Sequence, residues 1–225
     1  MSTLGGKKIQ AVELHWPTWG SWWARVATEA GTVPDGLTTL TIGDLSLVGT
    51  VLPERNGEGA PSSWSAIVMG AAAWDTVLPA RAAYQSDDGV RLKTVLADLA
   101  RECGGALMAQ PKDAALGPFW ARPRLGPGGR PWTGRDELAA LVRVGALGGW
   151  WPDIAGVTRF GARPGGVVLA KTREQPGTPT RGLRMVGVDA PAAFAPGKSW
   201  QGRTIGRTVI RDTSGGAIRV ELWDA

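Results

Sequence analysis

At 225 residues and a net charge of +5, the chain is long enough to bury a core without covalent staples. Its single cysteine, Cys103, excludes an intrachain disulfide and a multi-cysteine zinc site, and its lone histidine, His15, has no second histidine with which to form a ligand set. The charge is uneven: residues 1–105 hold 8 Lys and Arg against 11 Asp and Glu, and residues 106–225 hold 17 against 9, so the halves carry −3 and +8.

The basic half admits contact with nucleic acid or an acidic partner, although cations scattered along strands also describe ordinary solvated faces. Twelve tryptophans beside one tyrosine and three phenylalanines are the outlier of the composition. Indoles bury large areas and are enriched at subunit interfaces, while a Trp-rich core would use them as well. The N-terminal stretch MSTLGGKKIQAVEL lacks the apolar run of a secretory signal, and no segment has the length of a membrane span. The expectation is a protein folded in a cytoplasm, with no membrane insertion.

In chain order, Ala11 to Trp16 alternates Val12, Leu14 and Trp16 with Glu13 and His15, the pattern of a half-buried strand that Pro17 stops. Trp22 to Glu29 alternates again. Thr38 to Leu52 gives two strands hinged at Gly43-Asp44, and after a polar loop over Glu54 to Ser63 the run SWSAIVMG gives another. Spacing this short predicts antiparallel hairpins. Trp16, Trp19, Trp22 and Trp23 fall close together, and alternation sends Trp22 and Trp23 to opposite faces, so a one-sided core cannot take all four. These four are the candidate subunit-interface residues.

The stretch Gly89 to Gly105 is the longest helical pattern. Leu92, Val95, Leu96, Leu99, Ala100 and Cys103 recur at the spacing of one buried stripe, with Ser86, Asp87 and Asp88 offering caps before it and Gly104-Gly105 ending it. On that stripe Cys103 reads as a small buried hydrophobe rather than a nucleophile. Pro111 to Pro131 is a Pro- and Gly-rich excursion. Thr133 and Asp136 then resemble a capping box for a short helix near 134–144, followed by strands with turns at Pro152-Asp153 and Pro164-Gly165-Gly166. Arg173 to Thr180 reads as a loop. The prolines of DAPAAFAPGK argue against a helix there and turn the chain into a terminal hairpin, SWQGRTIGRTVIR and AIRVELW, across Asp212 to Gly216.

The fold class expected is therefore mainly β with two short-to-medium helices: two β-barrel-like lobes, 1–88 and 106–225, joined around the central helix 89–105. No nucleophile elbow, phosphate-binding loop, dinucleotide fingerprint or paired-histidine zinc motif is present, and the adjacent Asp87-Asp88 suits a helix entrance better than acid/base work. No catalytic, metal or cofactor residue is assigned, and the expectation is a protein that is not an enzyme.

Three pieces, in order, resemble the baseplate hub proteins of contractile-tailed bacteriophages, the group of late control protein D and the Mu-like hubs. GLTTLTIGDLSLVGTVL is similar to their early strand pair, GVRLKTVLADLAREC to a helix with a VL-x-DLA pattern, and FAPGKSWQGRTIGRTVIRDTSGGAIRVELW to their closing hairpin. DELAALVRVGALGGWWPDIAGVTRFGARPG is also similar to their short helix and Trp-containing strand pair. Hubs of this group are longer, and TVIRD here occupies the stretch where their hairpin carries a histidine. The resemblance implies a structural virion protein of the tail baseplate, assembled in the host bacterial cytoplasm. It implies a homo-oligomer, usually a trimeric ring, that joins the tail tube protein to the central spike protein and has transient contact with ejected DNA. Two other readings stay open: a β-barrel module binding nucleic acid or carbohydrate through exposed Trp and Arg, and a cell-wall hydrolase carried in the baseplate, with paired carboxylates brought together in space.

Overall fold

The computed structural model describes residues 1–28, 33–53, 66–79, 83–170, 172–174, 183–213 and 218–225. The polar loop expected over Glu54 to Ser63 and most of the terminal hairpin's turn lie outside these residues. The chain divides into two compact units, one of residues 1–70, 154–156 and 163–225 and one of residues 71–153 and 157–162.

The first unit is built from strands. Its N-terminal set is β1 (Ser2–Leu4), β2 (Lys7–Lys8), β3 (Ala11–Pro17), β4 (Trp23–Ala27), β5 (Gly36–Ile42), β6 (Leu45–Pro53) and β7 (Ala66–Met69). The β5–β6 hairpin turns where expected, at Gly43, whose φ of 59° lies in the left-handed region glycine enters without steric cost. The chain next enters the second unit through β8 (Ala83–Gln85), α1 (Leu92–Glu102), β9 (Phe119–Ala121), α2 (Gly134–Arg143), β10 (Trp150–Pro152) and β11 (Thr158–Phe160). It returns to the first unit as β12 (Thr172–Glu174), β13 (Leu183–Val188), β14 (Ser199–Trp200), β15 (Arg203–Thr213) and β16 (Arg219–Asp224).

All strands of the first unit join one 12-stranded sheet in the order β12-β13-β16-β15-β3-β4-β7-β6-β5-β1-β2, with β14 beside β15. The mainly β class with two helices is the one expected. The strands are distributed differently from the lobes 1–88 and 106–225: β15 of the terminal hairpin pairs along its length with β3, from Arg207 opposite Pro17 to Thr213 opposite Ala11. Period-two alternation fixes which face of a strand is buried but carries no information about its partner, so this union of chain ends was not visible in the pattern. The inward face packs Val12, Leu14, Ala24, Val26, Leu40, Leu47, Val68, Ile210, Val220 and Leu222 into one core. At one end of the sheet β2 is only two residues long, both exposed lysines, a charge-blunted edge that resists pairing with another strand.

Two local expectations are corrected. Pro191–Phe194 forms a short 3-10 helix with Pro191 at its first position, where a proline's missing N–H costs nothing. Residues 173 and 174, expected in a loop, belong to β12 and pair with Gly187 and Val186.

In the second unit, the whole predicted stripe of α1 is buried, from Leu92, Val95, Leu96 and Leu99 to Ala100 and Cys103, against Leu138, Leu141, Trp74, Trp132 and Trp150. The helix begins later than expected. Ser86 to Gly89 is a separate turn, and the N-cap residue Arg91 makes no side-chain capping bond; the Asp113 carboxylate instead accepts from the Lys93 N–H at 3.3 Å. The capping box of α2 is present, with the Thr133 hydroxyl accepting from the Asp136 N–H and the Asp136 carboxylate accepting from the Thr133 N–H at 3.0 Å.

Candidate assembly surface

The four candidate tryptophans separate into two pairs. Trp22 is fully enclosed: a Cβ on Gly70 would stand 2.2 Å from its Nε1 and one on Gly49 2.6 Å from its Cη2, so the indole lies flat against backbone that only glycine leaves open. Trp16 is 4% exposed and lies in the same core, with the Arg163 guanidinium 5.7 Å from its ring centroid. Arg163 donates to the Thr18 carbonyl at 2.7 Å, and burial lowers its pKa to about 10. Trp16 and Trp22 thus belong to the subunit's own core. Trp19, in the turn after β3, is 45% exposed, and Trp23 is half-buried at the start of β4.

Trp23 opens onto the outer face of the sheet. Directly opposed residues share a face, so the register builds a row Glu221, Val209, His15, Trp23, Met69, Thr50 and Leu37 across six strand pairings. A second row runs Arg219, Arg211, Glu13, Arg25 and Ile67. His15 stacks on Trp23 with ring centroids 3.9 Å apart and planes 8° apart, and the Arg25 guanidinium lies 5.7 Å from the same indole. The lone histidine is therefore part of an aromatic stack, not of a ligand set. Glu13 ties the rows together, bonding His15 Nε2 at 2.7 Å and accepting from Arg211 Nε at 2.8 Å. Arg211, then His15, hold its carboxyl below the usual carboxylate range despite partial burial. Arg211 also pairs with Glu221.

A β-bulge between Ile205 and Arg207 reverses the alternation of β15. Ile205 goes into the core, while Arg207, two residues on, is exposed on the outer face opposite Trp223. The guanidinium carbon lies 4.0 Å from the Trp223 ring centroid. Sequence reasoning missed this pair, because a bulge is invisible to a period-two pattern.

The second unit holds a buried polar group. Glu137, fully buried, accepts from Trp120 Nε1 and Trp132 Nε1, each at 2.7 Å, and lies 3.5 Å from Arg122 Nε. Arg122 also reaches Glu102 at 2.7 Å. Both carboxylate oxygens are occupied by indole donors, so the arrangement locks the core of the unit and offers no open position to a substrate. Cys103 is buried beside Gly134, and burial pushes its thiol up to about 11, far from a reactive thiolate. Among the described residues no three His, Cys, Asp or Glu side chains gather to hold a metal ion, and no helix is long and apolar enough to cross a membrane.

Neither a protein-family model nor a curated protein sequence matches the chain. Solved structures do. One is an Escherichia coli component of the type VI secretion system, described as structurally similar to the bacteriophage T4 tail proteins gp27 and gp5; it matches 99% of this chain and 75% of its own at 11% identity and a TM-score of 0.58. The chain has the fold of a tail protein. A tail protein from Neisseria meningitidis matches at 11% identity and a TM-score of 0.57, covering 98% of this chain and 94% of its own. A 43 kDa tail protein of prophage MuSo2 from Shewanella oneidensis matches at 8% identity and a TM-score of 0.57, covering 99% and 97%. The likeness to these tail proteins spans both compact units.

Proposed function

We propose that the chain is a structural, non-enzymatic virion protein: a subunit of the hub ring of a phage tail baseplate, which joins the tail tube to the central spike. The observation that carries this reading is the fold shared end to end with tail proteins and with a secretion component likened to them. The sequence motifs that resemble hub proteins lie in order on β5–β6, α1 and β15–β16. The ring is a homotrimer whose copies meet in part through Trp19 and Trp23, the two indoles of the cluster that reach the surface. A closed ring covers such side chains with the next copy.

The test is a Trp19→Ser, Trp23→Ser double variant followed by light scattering and circular dichroism. The expected result is a smaller assembly with an unchanged β-type spectrum. Wild-type protein that stays monomeric both alone and in the particle would contradict the ring, and a double variant that assembles normally would remove these two indoles from the contact.

A further inference from the structure

We propose that the segment from Gly166 to Ala170 is an open sheet edge that receives an extended strand from the next copy of this chain in the ring. On one side the segment runs parallel to β14: the Ser199 N–H donates to the Gly166 carbonyl at 2.7 Å, and the Val168 N–H donates to the Ser199 carbonyl at 2.8 Å. Val168 joins the buried core of the first unit. Successive residues of such a ladder turn their backbone groups to opposite edges, so the N–H and C=O of Val167 and Leu169 face away from β14. Among the described residues neither has a hydrogen-bond partner. Their side chains, on the side opposite Val168, are 70% and 89% exposed.

The edge sets the chemistry of its occupant. Val167 and Leu169 each offer a donor and an acceptor, two residues apart, and another extended backbone repeats the complementary groups at that interval. Their apolar side chains add a strip against which alternate residues of the incoming strand can pack. The run GVVLA also carries no charge, whereas the sheet end at β2 is blunted by Lys7 and Lys8. The position of the edge points to the source of the strand. Arg163 donates to the Thr18 carbonyl at 2.7 Å, next to the exposed Trp19, and only Pro164 and Gly165 separate Arg163 from Gly166. The edge is thus continuous with the turn bearing Trp19, and a copy that covers this indole has the open backbone within its reach.

This inference rests on the ring reading, and its test separates the two. On the full-length protein, sedimentation velocity gives the state of association, and hydrogen exchange resolved to single amides gives the pairing. In the assembled wild type the Val167 and Leu169 amides should exchange at least about tenfold more slowly than unstructured amides. Leu169→Pro keeps an apolar side chain and removes a donor with no partner within the chain, a change that an edge position tolerates. Leu169→Lys blunts the edge as the lysines blunt β2. Each should weaken association on the order of tenfold, and Leu125→Lys, at an apolar position 57% exposed in the second unit, by less than about twofold. Matching melting curves would show that the variants are folded. The proposal is overturned if either folded Leu169 variant associates like the wild type or if Leu125→Lys weakens association as much. It is equally overturned if protection of the two amides arises only in the tail particle, where the strand would come from another protein. A ring whose Val167 and Leu169 amides exchange freely would remove the strand pairing and keep the ring; a wild type that never assembles would remove both.

Discussion

Trp22 shows at single-residue scale how a large side chain fixes its neighbours. Its indole occupies the space that side chains of Gly49 and Gly70 would need, and the Gly70 N–H donates to the Trp22 carbonyl at 3.0 Å. Neither glycine has a positive φ, so steric closeness is the reason for glycine here. Gly70→Ala should destabilise the chain by about 1 to 3 kcal/mol, the usual cost of overpacking a filled core, read as a lower urea midpoint at constant slope. An unchanged midpoint would mean that the indole is free to move away. Alternation in the sequence showed that a one-sided core could not bury both Trp22 and Trp23. It did not show which, because that depends on glycines far along the chain that face the ring across the sheet.

At the scale of elements, α1 and α2 were legible because their apolar stripes and one of their caps are local. Leu99 lies mid-stripe and is fully buried. Leu99→Asp should leave no folded protein, because an unpaired buried carboxylate costs an amount comparable to a whole domain's stability of about 5 to 15 kcal/mol. A soluble variant with native melting behaviour would contradict the packing of α1. The start of α1 was misjudged because its cap comes from Asp113, in an excursion with no periodic signal.

The start of α2 carries a pH dependence. Burial raises the Asp136 carboxyl, but hydrogen bonds from Arg130 and from the Thr133 N–H and hydroxyl outweigh it, and the net effect is a pKa below the ordinary 3.8. A carboxyl depressed in the folded state adds stability that is complete above its unfolded pKa and is lost as pH falls through the folded value. Asp136→Asn should therefore lower stability at neutral pH by about 1 kcal/mol, in the range of a helix cap. The gap between variant and wild type should narrow below pH 3.8, and acid melts of both proteins measure it. A gap that persists in acid would assign the effect to shape rather than charge.

For the whole molecule, the hairpins β5–β6 and β15–β16 were readable from alternation and turn residues, and the joining of β15 to β3 was not. That pairing brings Thr208 opposite Trp16 and Ile210 opposite Leu14, contacts between chain ends that no local pattern encodes. The basic excess of the C-terminal half also reads differently in three dimensions. Arg122, Arg130, Arg135, Arg159, Arg203 and Arg211 all form ion pairs within the protein. Six of the seventeen Lys and Arg of residues 106–225 are paired in this way, which lowers the charge open to a polyanion, and any DNA binding should be weak, indifferent to sequence and abolished by moderate salt. Filter binding across a salt series checks this; tight, sequence-selective binding at physiological salt would favour a nucleic-acid module.

The central claim is that copies of this chain close a ring at the junction of tube and spike. Electron microscopy of tail particles carrying a labelled version of the chain tests it most directly. The account predicts label at the baseplate end, on a ring of three copies around the tail axis. Particles that lack the chain, or that carry it as single copies away from that junction, would contradict it.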